Sequence, residues 1–310
     1  MENSYLGETD KGIFSRHTTS ARQLKVGESL SSEYPSLTEG GVEKAREKAR
    51  TELLDIIEKS PAGTILFIGG KSDQTRTGDT GEIYGVELKK ISETKNDLFV
   101  LTKSDIDKMR QEIKENDSEG KIIDKIKTVI SEQSNKKVVK VVVDYPLWIK
   151  ELSYAYDNRW TDSKGKKTDY FDEVVKKYNG DHAPAAADWI ENQGRLELSD
   201  GRVLQGPEPE KVAKEYLHGL ARLQAFAEKV VPNRTVKVLG AGHQWDLDAV
   251  MCFLAEGKVN KDTFDRVCGG KVINDSELIS EIGVTPEGKT SVKYRGQEFN
   301  YEGVKNNDLI

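Results

Sequence analysis

Short, strongly apolar segments alternate along this chain with longer segments of helical periodicity. The clearest strands are predicted over 64–68, 138–143 and 235–239, each rich in branched apolar residues. Helices with one apolar face are predicted to begin at Thr38, whose hydroxyl can cap a first turn, and just after Pro207. Because strands and helices alternate, we predict an α/β protein, a three-layer α/β/α sandwich around a largely parallel central sheet.

The middle of the chain fits this alternation least well. We predict a single domain over 1–310, with a core of about 12–95 and 207–283 and an inserted, cap-like region of about 96–206, where periodicity is weakest. The tail, 284–310, is predicted to contain a hairpin, because two strand-like runs flank a central turn.

Four local predictions concern the elements beside the strands. Gly69-Gly70 is predicted to end the strand before it, and a helix is predicted around 79–90. One helix is predicted over 104–133, and residues 240–243 are predicted to form a tight turn.

The charge and hydropathy of the chain exclude several classes of partner. Of the 310 residues, 36% are apolar and 32% are charged, and the net charge of −6 offers no basic surface for nucleic acid. No apolar run approaches the roughly 18 residues that span a membrane, and the polar first residues lack a signal-peptide pattern. We expect a cytoplasmic protein that binds neither nucleic acid nor membrane, and we predict no oligomeric state.

The two cysteines, Cys252 and Cys268, form neither a CxxC motif nor a zinc-ligand pattern with histidine. Free thiols are typical of a reducing compartment. We expect neither a metal nor a cofactor.

Three polar clusters follow predicted strands: Arg16-His17, the loop over 72–80, and His243. Ligands of parallel α/β sheets bind at the carboxyl ends of strands, so we expect these clusters to lie together. A neutral imidazole can attack phosphorus and form a covalent phosphohistidine. Arg76 can hold two phosphoryl oxygens with its planar guanidinium, and Arg16 and a protonated His243 can add donors and positive charge. The pattern therefore predicts a site for phosphoryl transfer.

Four segments, in this order, resemble the histidine phosphatase superfamily, the group of phosphoglycerate-mutase-like and SixA-like enzymes. They are Phe14–Gln23, similar to the family's strand ending in Arg-His-Gly; Leu37–Ala45, similar to its LTExGxxQA helix start; Ser72–Thr80, with its Ser-x-x-x-Arg-x-x-x-Thr spacing; and Val238–His243, similar to the strand that delivers its second histidine. The resemblance covers about 12–90 and 207–256.

The resemblance implies a role for each residue of the site. His17 would be the residue that is phosphorylated, and the residues that complete the phosphate pocket would be Arg16, Arg76 and His243. Ser20 and Gln23 stand where many members have a hydroxyl residue and Asn, and they are implied to bind the substrate. That substrate would be a phosphorylated small molecule or a phosphoprotein.

Two positions depart from the family's pattern, and one role is open. Thr18 replaces the usual Gly after the first histidine, and Gln244 replaces the common Gly after the second. The acid that protonates the leaving group is open between Asp144, which ends a predicted strand, Glu151 and Asp246.

We therefore predict a phosphomonoester hydrolase that acts through a phosphohistidine on His17. Two alternatives stay open: a phosphotransferase or mutase on the same site, and a non-catalytic protein that holds a phosphorylated ligand. The unassigned acid favours the second. The other histidines, His182 in a polar loop and His218 on an amphipathic helix, are predicted to lie at the surface or to be structural. The Gly-Ala-Gly before His243 lacks the third glycine of a dinucleotide fingerprint, because Trp245 stands in its place.

Overall fold

The structure, a computed structural model, describes residues 7–21, 24–71, 75–112, 119–144, 149–153, 156–161, 164, 166–231, 233–285 and 287–303. The chain divides into two compact units. The first unit comprises Met1–Arg16, Leu147–Arg222 and Gly242–Ile310, and the second comprises His17–Pro146 and Leu223–Ala241.

The regular elements of both units follow in chain order. The strands are β1 (Gly7–Arg16), β2 (Ile65–Lys71), β3 (Leu98–Leu101), β4 (Lys137–Asp144), β5 (Arg195–Glu197), β6 (Val203–Gln205), β7 (Val236–Gly242), β8 (Leu278–Val284), β9 (Lys289–Tyr294) and β10 (Gln297–Glu302). The helices are α1 (Glu39–Lys48), α2 (Leu54–Lys59), α3 (Thr75–Ser92), α4 (Lys103–Glu112), α5 (Glu119–Ser131), α6 (Asp169–Lys177), α7 (His182–Glu191), α8 (Pro209–Val230), α9 (Gln244–Glu256) and α10 (Lys261–Cys268). A π-helical turn, Ala49–Leu53, joins α1 to α2.

The second unit is built on parallel strands in the order β7-β2-β4-β3. Ile68 of β2 pairs with Leu239 of β7 and with Val141 of β4. Ile68 and Leu239 are fully buried, as expected for parallel strands that are covered on both faces and therefore read as continuous apolar runs. The predicted α/β fold class with a largely parallel sheet is confirmed, and the three strongest predicted strands are β2, β4 and β7.

The predicted insertion, about 96–206, contains two strands of this parallel sheet. β3 pairs with β4, Val100 opposite Val139, and β4 pairs with β2. Both β3 and β4 therefore belong to the sheet of the second unit. Within the helix predicted over 104–133, the structure describes the helical segments α4 and α5, and 113–118, which lie between them, are outside the described residues.

Gly69 and Gly70 do not end β2, contrary to the prediction. The strand continues to Lys71, because parallel pairing uses backbone groups, which glycine supplies as well as any residue. The next helix, α3, begins at Thr75, earlier than predicted, so Arg76 stands in its first turn.

Arg234 binds backbone carbonyls at the carboxyl end of α5 and just before β2 and β4. Its Nε donates to the carbonyl of Gly63 at 2.6 Å, and its Nη groups donate to the carbonyls of Ile130 at 3.2 Å and Lys136 at 3.1 Å. Gly63 lies just before β2, Lys136 just before β4, and Arg234 itself just before β7. One guanidinium therefore satisfies three backbone acceptors at the end of the sheet where these strands begin.

The first unit contains antiparallel strands in the order β10-β9-β8-β1. β1 pairs with β8, with Phe14 opposite Ile279. β9 and β10 form a hairpin within the predicted 284–310 segment, with Phe299 opposite Val292. These antiparallel pairs are an addition to the largely parallel sheet that the sequence predicts.

The part of the chain without clear periodicity forms a small aromatic core in the first unit. It holds α6, α7 and the β5–β6 hairpin. The ring of Trp160 lies edge-on to those of Trp189 and Trp245, with centroids 5.0 Å apart in each pair, and Phe171 lies 5.0 Å from Trp245. Such irregularly spaced aromatic residues produce no helical or strand period.

The longest described helix, α8, has 22 residues and carries charged side chains along its length. Within the described ranges, none of the helices combines the length and the apolar character needed to cross a membrane.

Candidate functional site

The segment after β1 forms hydrogen bonds to both α1 and α3 in the second unit. The Thr18 backbone N–H donates to Oγ1 of Thr80 on α3 at 3.2 Å, and Thr18 Oγ1 donates to the carbonyl of Gly41 on α1 at 2.6 Å. The Thr38 N–H donates to the Thr19 carbonyl at 3.0 Å. The hydroxyl of Thr18 therefore connects this segment to α1.

His17 and Arg76 are brought together, as the sequence predicts. His17 Nδ1 lies 2.7 Å from the Thr18 carbonyl oxygen, and Arg76 Nε donates to His17 Nε2 over 3.1 Å. A carbonyl oxygen only accepts and an arginine N–H only donates, so these partners assign the proton to Nδ1 and the lone pair to Nε2. His17 is buried, with 6% of its surface exposed. The arrangement is that of a neutral imidazole with a fixed tautomer.

Thr80 forms hydrogen bonds both to Arg76 and to the segment that carries His17. Its Oγ1 donates to the Arg76 carbonyl at 2.8 Å, one turn back along α3, and accepts the Thr18 N–H. The side chain is fully buried, so loss of the hydroxyl would leave the Thr18 N–H without this acceptor.

Gly41 permits the close approach of α1 to the segment that follows His17. A Cβ at this position would lie 2.5 Å from the Thr19 carbonyl oxygen, closer than real Cβ contacts allow. The start of α1 is as predicted: Thr38 caps the helix by accepting the Gly41 N–H at 3.0 Å. The motif at the start of α1 thus has two roles: Thr38 caps the helix, and Gly41 lets the helix pack against the segment after His17.

Of the two predicted substrate-binding residues, one is described. Ser20 is buried and forms an isolated antiparallel bridge with Leu37. Gln23 lies outside the described residues, as does Ser72, the first residue of the third motif.

Asp79 was not singled out from the sequence, although it lies within the third motif. It stands three residues after Arg76 on α3 and accepts a hydrogen bond from the Ser36 hydroxyl. Burial raises the pKa of the Asp79 carboxyl, while the bond from Ser36 and the charge of Lys103 oppose the shift. A carboxyl that retains its proton above the usual range, one turn from Arg76, joins the candidates for the open acid role.

Arg16, the last residue of β1, belongs to the first unit. Its Nη1 donates to the Ile273 carbonyl at 2.5 Å, and its Nη2 lies 3.0 Å from Oδ1 of Asp275. Burial lowers the pKa of Arg16, and the charges of Asp275 and Asp248 oppose that effect. Arg16 is thus a buried cation with an ion-pair partner in its own unit.

His243 also belongs to the first unit and is buried. The predicted tight turn over 240–243 is wrong: β7 extends to Gly242, and His243 is the N-cap residue of α9, with its carbonyl accepting the Leu247 N–H at 3.1 Å. The backbone of Gly242 stays extended, so the strand passes directly into the helix.

The two described candidates for the acid are engaged within the first unit. Asp246 is fully buried, accepts the indole N–H of Trp160 at 2.8 Å and lies 3.5 Å from Arg159. Glu151 accepts a hydrogen bond from Arg222. The side chain of the third candidate, Asp144, lies outside what the structure describes.

The remaining histidines agree with the structural and surface roles predicted for them. His218 on α8 lies 3.8 Å from Glu151 Oε1, and His182 is exposed at the start of α7. No group of three or more His, Cys, Asp or Glu side chains is arranged to hold a metal ion in the described part of the chain.

Asp248 and Asp275 are the residues around Arg16 that sequence reasoning missed. Oδ1 of Asp248 accepts the Ile273 N–H at 2.7 Å, and burial raises the pKa of this carboxyl to about 8. One signal was available: Asp248 stands in a run of otherwise apolar residues, 247–255, and a buried acid in such a helix needs a partner. Asp275 lies in a polar turn, where a carboxylate is ordinary.

Comparison with known proteins finds distant similarity in solved structures only. No family model matches the sequence, and no curated protein matches it. The chain is similar to mycobacterial glucosyl-3-phosphoglycerate phosphatase, with 13% identity, 95% of this chain and 100% of that chain covered, and a TM-score of 0.41. It is also similar to a structure named mycobacterial hydrolase 2, with 14% identity, 96% and 91% covered, and a TM-score of 0.40.

A third similar structure is the product of an open reading frame of Mycobacterium tuberculosis, with 11% identity, 94% and 95% covered, and a TM-score of 0.36. At such identities and TM-scores the chemistry of this chain is inferred from its own residues, chiefly from His17 and Arg76.

Proposed function

We propose that the protein is a phosphomonoester hydrolase in which Nε2 of His17 accepts the phosphoryl group. The observation that carries the proposal is the tautomer of His17, held by the Thr18 carbonyl and Arg76 Nε, which puts the lone pair on Nε2 beside a guanidinium. A buried neutral imidazole with its lone pair so placed is a nucleophile, and a guanidinium is the side chain best suited to phosphate.

The reaction takes two displacements. Nε2 of His17 attacks phosphorus, the bond to the leaving oxygen breaks, and that oxygen takes a proton from an acid. Water then attacks the phosphohistidine and gives a proton to the conjugate base of that acid, the N–P bond breaks, the lone pair returns to Nε2, and phosphate leaves. Arg76 changes partner during the first step, from Nε2 to the phosphoryl oxygens, whose charge it offsets.

The position of Arg76 adds to this charge stabilisation. It stands in the first turn of α3, an 18-residue helix whose amino end carries partial positive charge. Anions bind favourably at such ends. Roles for Arg16 and His243 toward the same phosphoryl group stay predictions of the resemblance, as does the role of Ser20 and Gln23 toward the substrate.

The test is turnover of an activated aryl phosphate together with trapping of the phosphoenzyme. We expect the wild type to form an acid-labile, alkali-stable phosphoprotein, and His17→Ala to lose both this species and turnover. His182→Ala, which removes an exposed histidine of the first unit, is the matched control and should behave as wild type. Robust turnover by His17→Ala would refute the proposal.

The residue that protonates the leaving group can be identified from how the rate of each variant depends on the leaving group. An acid matters most for poor leaving groups such as alkyl alcohols and least for activated phenols. Asp79→Asn, Glu151→Gln, Asp246→Asn and Asp144→Asn are each compared on an alkyl and an aryl phosphate. The variant of the acid should lose alkyl phosphate hydrolysis selectively, whereas loss on both substrates indicates damage to the fold.

The engagement of both Asp246 and Glu151 favours one alternative, a non-catalytic protein that binds a phosphorylated ligand. A wild type that binds phosphate but turns over neither aryl nor alkyl esters would establish that alternative. A phosphotransferase or mutase would instead show a phosphorylated product when a phosphorylated acceptor is added.

A further inference from the structure

Three of the five large apolar side chains that are exposed in the described part of the chain lie within one short segment of the second unit, residues 24–30, which we call the apolar loop. Leu24 is 44% exposed, Leu30 is 47% exposed, and Val26 is fully exposed. Single apolar residues on a surface are ordinary, whereas a group of them marks a surface that contacts another molecule. The apolar loop is therefore a candidate contact surface.

The tip of the apolar loop is a β-turn with defined hydrogen bonds. The Glu28 N–H donates to the Lys25 carbonyl at 3.0 Å, and the Glu28 carboxylate accepts the Lys25 N–H at 2.9 Å. Gly27 has a φ of 90°, as the third residue of a type II turn requires, so Val26 stands at the apex. A Cβ on Gly27 would meet nothing within 4 Å, so open space surrounds the apex. The loop is thus a folded, convex projection that presents an apolar side chain.

The apolar loop is joined by backbone pairing to the segment that carries His17, which belongs to the same unit. Ser20, three residues after His17, bridges to Leu37, and Leu30 bridges to Thr38 on the other side of the same segment. Paired segments lie about 5 Å apart, so the backbone of Leu30 lies about 10 Å from that of Ser20. An extended peptide spans about 3.3–3.6 Å per residue. A peptide phosphorylated at the residue that meets His17 therefore reaches the loop with residues about three to six positions away.

The charges beside the apolar loop indicate the chemistry of its partner. Residues 24–39 contain three glutamates and one lysine. Two of the glutamates accept hydrogen bonds at the loop: Glu28 from the Lys25 N–H and Glu39 from the Ser29 hydroxyl at 2.7 Å. This excess of negative charge disfavours an anionic membrane surface and favours a partner that carries lysine or arginine beside its apolar residues.

We propose that the apolar loop is a docking surface for a phosphorylated protein substrate, which it contacts at apolar and basic residues about three to six positions from the phosphorylated one. This inference rests on the proposed function, because it names the substrate class of the same site. The convex shape of the loop favours a polypeptide, since small molecules bind in concave sites that enclose most of their surface.

The experiment compares two phosphotyrosine peptides as substrates of the full chain. The first peptide has leucine and lysine at the positions about three to six residues on either side of the phosphotyrosine, and the second has serine in place of each leucine. Phosphotyrosine is an aryl ester, so hydrolysis of these peptides depends little on a strong acid. Each kcat/KM is divided by that for p-nitrophenyl phosphate, which is too short to reach Leu30, and a general loss of activity therefore cancels.

We expect the wild type to prefer the leucine peptide by about tenfold or more, and Val26→Ser to prefer it by less than about threefold, because the apolar contact at the apex is lost. Leu24→Ser and Leu30→Ser should each lower the preference by about threefold. Ile123→Ser is the matched control, since it removes an exposed apolar side chain from α5 of the same unit, and it should keep the wild-type preference.

Each outcome supports or overturns the inference. Equal rates of the wild type on both peptides, or rapid turnover of p-nitrophenyl phosphate with neither peptide hydrolysed, overturn the inference and leave the proposed function intact. The same loss of preference in Ile123→Ser as in Val26→Ser also overturns it. Binding to phosphatidylcholine vesicles, or dimer formation, that Val26→Ser abolishes assigns the loop to a membrane or to a second copy and overturns it too. A wild type that hydrolyses none of these esters overturns the proposed function and the inference together.

Discussion

The Nε–H of Arg76 donates to Nε2 of His17 across 3.1 Å, so the guanidinium rests on the atom that is proposed to attack phosphorus. The lone pair is thereby kept on Nε2 and covered until an anion arrives. A phosphoryl group must displace Arg76 from Nε2 and, in doing so, gains Arg76 as its own partner.

Comparing Arg76→Lys with Arg76→Ala should separate the contribution of positive charge to kcat from that of the planar shape of the guanidinium. Lysine keeps the positive charge but cannot hold two oxygens in one plane, so we expect kcat to fall in both variants, by about 10²-fold or more for alanine and less for lysine. Turnover and phosphoenzyme yield are the measurements. Arg46→Ala, which removes a surface arginine paired with Glu33, is the control. Equal activity of wild type and Arg76→Ala would show that Arg76 has no part in the reaction.

Thr80→Val should loosen the segment that carries His17. Valine matches threonine in shape but leaves the buried Thr18 N–H and the Arg76 carbonyl without the hydroxyl, at a cost of about 1–3 kcal/mol in the free energy of unfolding. We expect kcat to fall with it. Thr80→Ser retains the hydroxyl and should recover most of the loss, as measured by urea unfolding and turnover. A valine variant as stable and active as the serine variant would contradict this account.

Gly41→Ala and the neighbouring substitution Gly40→Ala should have opposite effects on the free energy of unfolding. At Gly41 a new Cβ meets the Thr19 carbonyl oxygen at 2.5 Å, whereas at Gly40 it meets nothing within 4 Å. We expect Gly41→Ala to lower the free energy of unfolding by about 1–3 kcal/mol and Gly40→Ala to raise it by up to about 1 kcal/mol through helix propensity. Chemical unfolding of the two variants is the measurement. Stabilisation by both substitutions would show that α1 does not depend on the close approach.

Asp248→Asn should show a stability difference that depends on pH. Burial raises the pKa of the Asp248 carboxyl to about 8, with Arg16 and Arg295 opposing the shift and Glu277 adding to it. The folded protein therefore keeps a proton that the unfolded chain releases near pH 4, roughly, so the stability of the wild type falls as pH rises between these values. Asparagine resembles the protonated carboxyl and does not titrate.

We expect the stability of Asp248→Asn relative to wild type to increase with pH, by at most about 1.4 kcal/mol per pH unit between about pH 5 and pH 7.5, and to level off above about pH 8. Urea unfolding of both proteins across this range is the measurement. A difference that does not change with pH would mean that Asp248 is ionised in the folded protein throughout.

The parts of the fold that the sequence predicts are those in which local pattern and tertiary environment agree. β2, β4 and β7 are apolar runs because they are central parallel strands, and the start of α1 is visible in the Thr38 cap. The pairing of β1 with β8 joins the two ends of the chain, and nothing local in either strand specifies its partner. The strand β3 falls within 97–102, where the sequence also predicts a strand.

The same distinction applies to the site. His17 and Arg76 lie in motifs whose order and position after strands pointed to a common location, and the structure brings them into contact. The partners of Arg16 could not be predicted, because Asp275 is an unremarkable residue of a turn until the fold places it 3.0 Å from Nη2. Burial, which gives Asp248 its unusual proton affinity, is likewise a property of the folded chain.

Arg234 binds three carbonyls where the strands of the second unit begin, whereas Arg76 follows the point where β2 ends. The length of β2 thus separates the backbone contacts of Arg234 from the site that we propose for phosphoryl transfer. Directed evolution can exploit that division: substitutions around Arg234 can tune thermal tolerance while the residues that contact His17 are left to selection for catalysis.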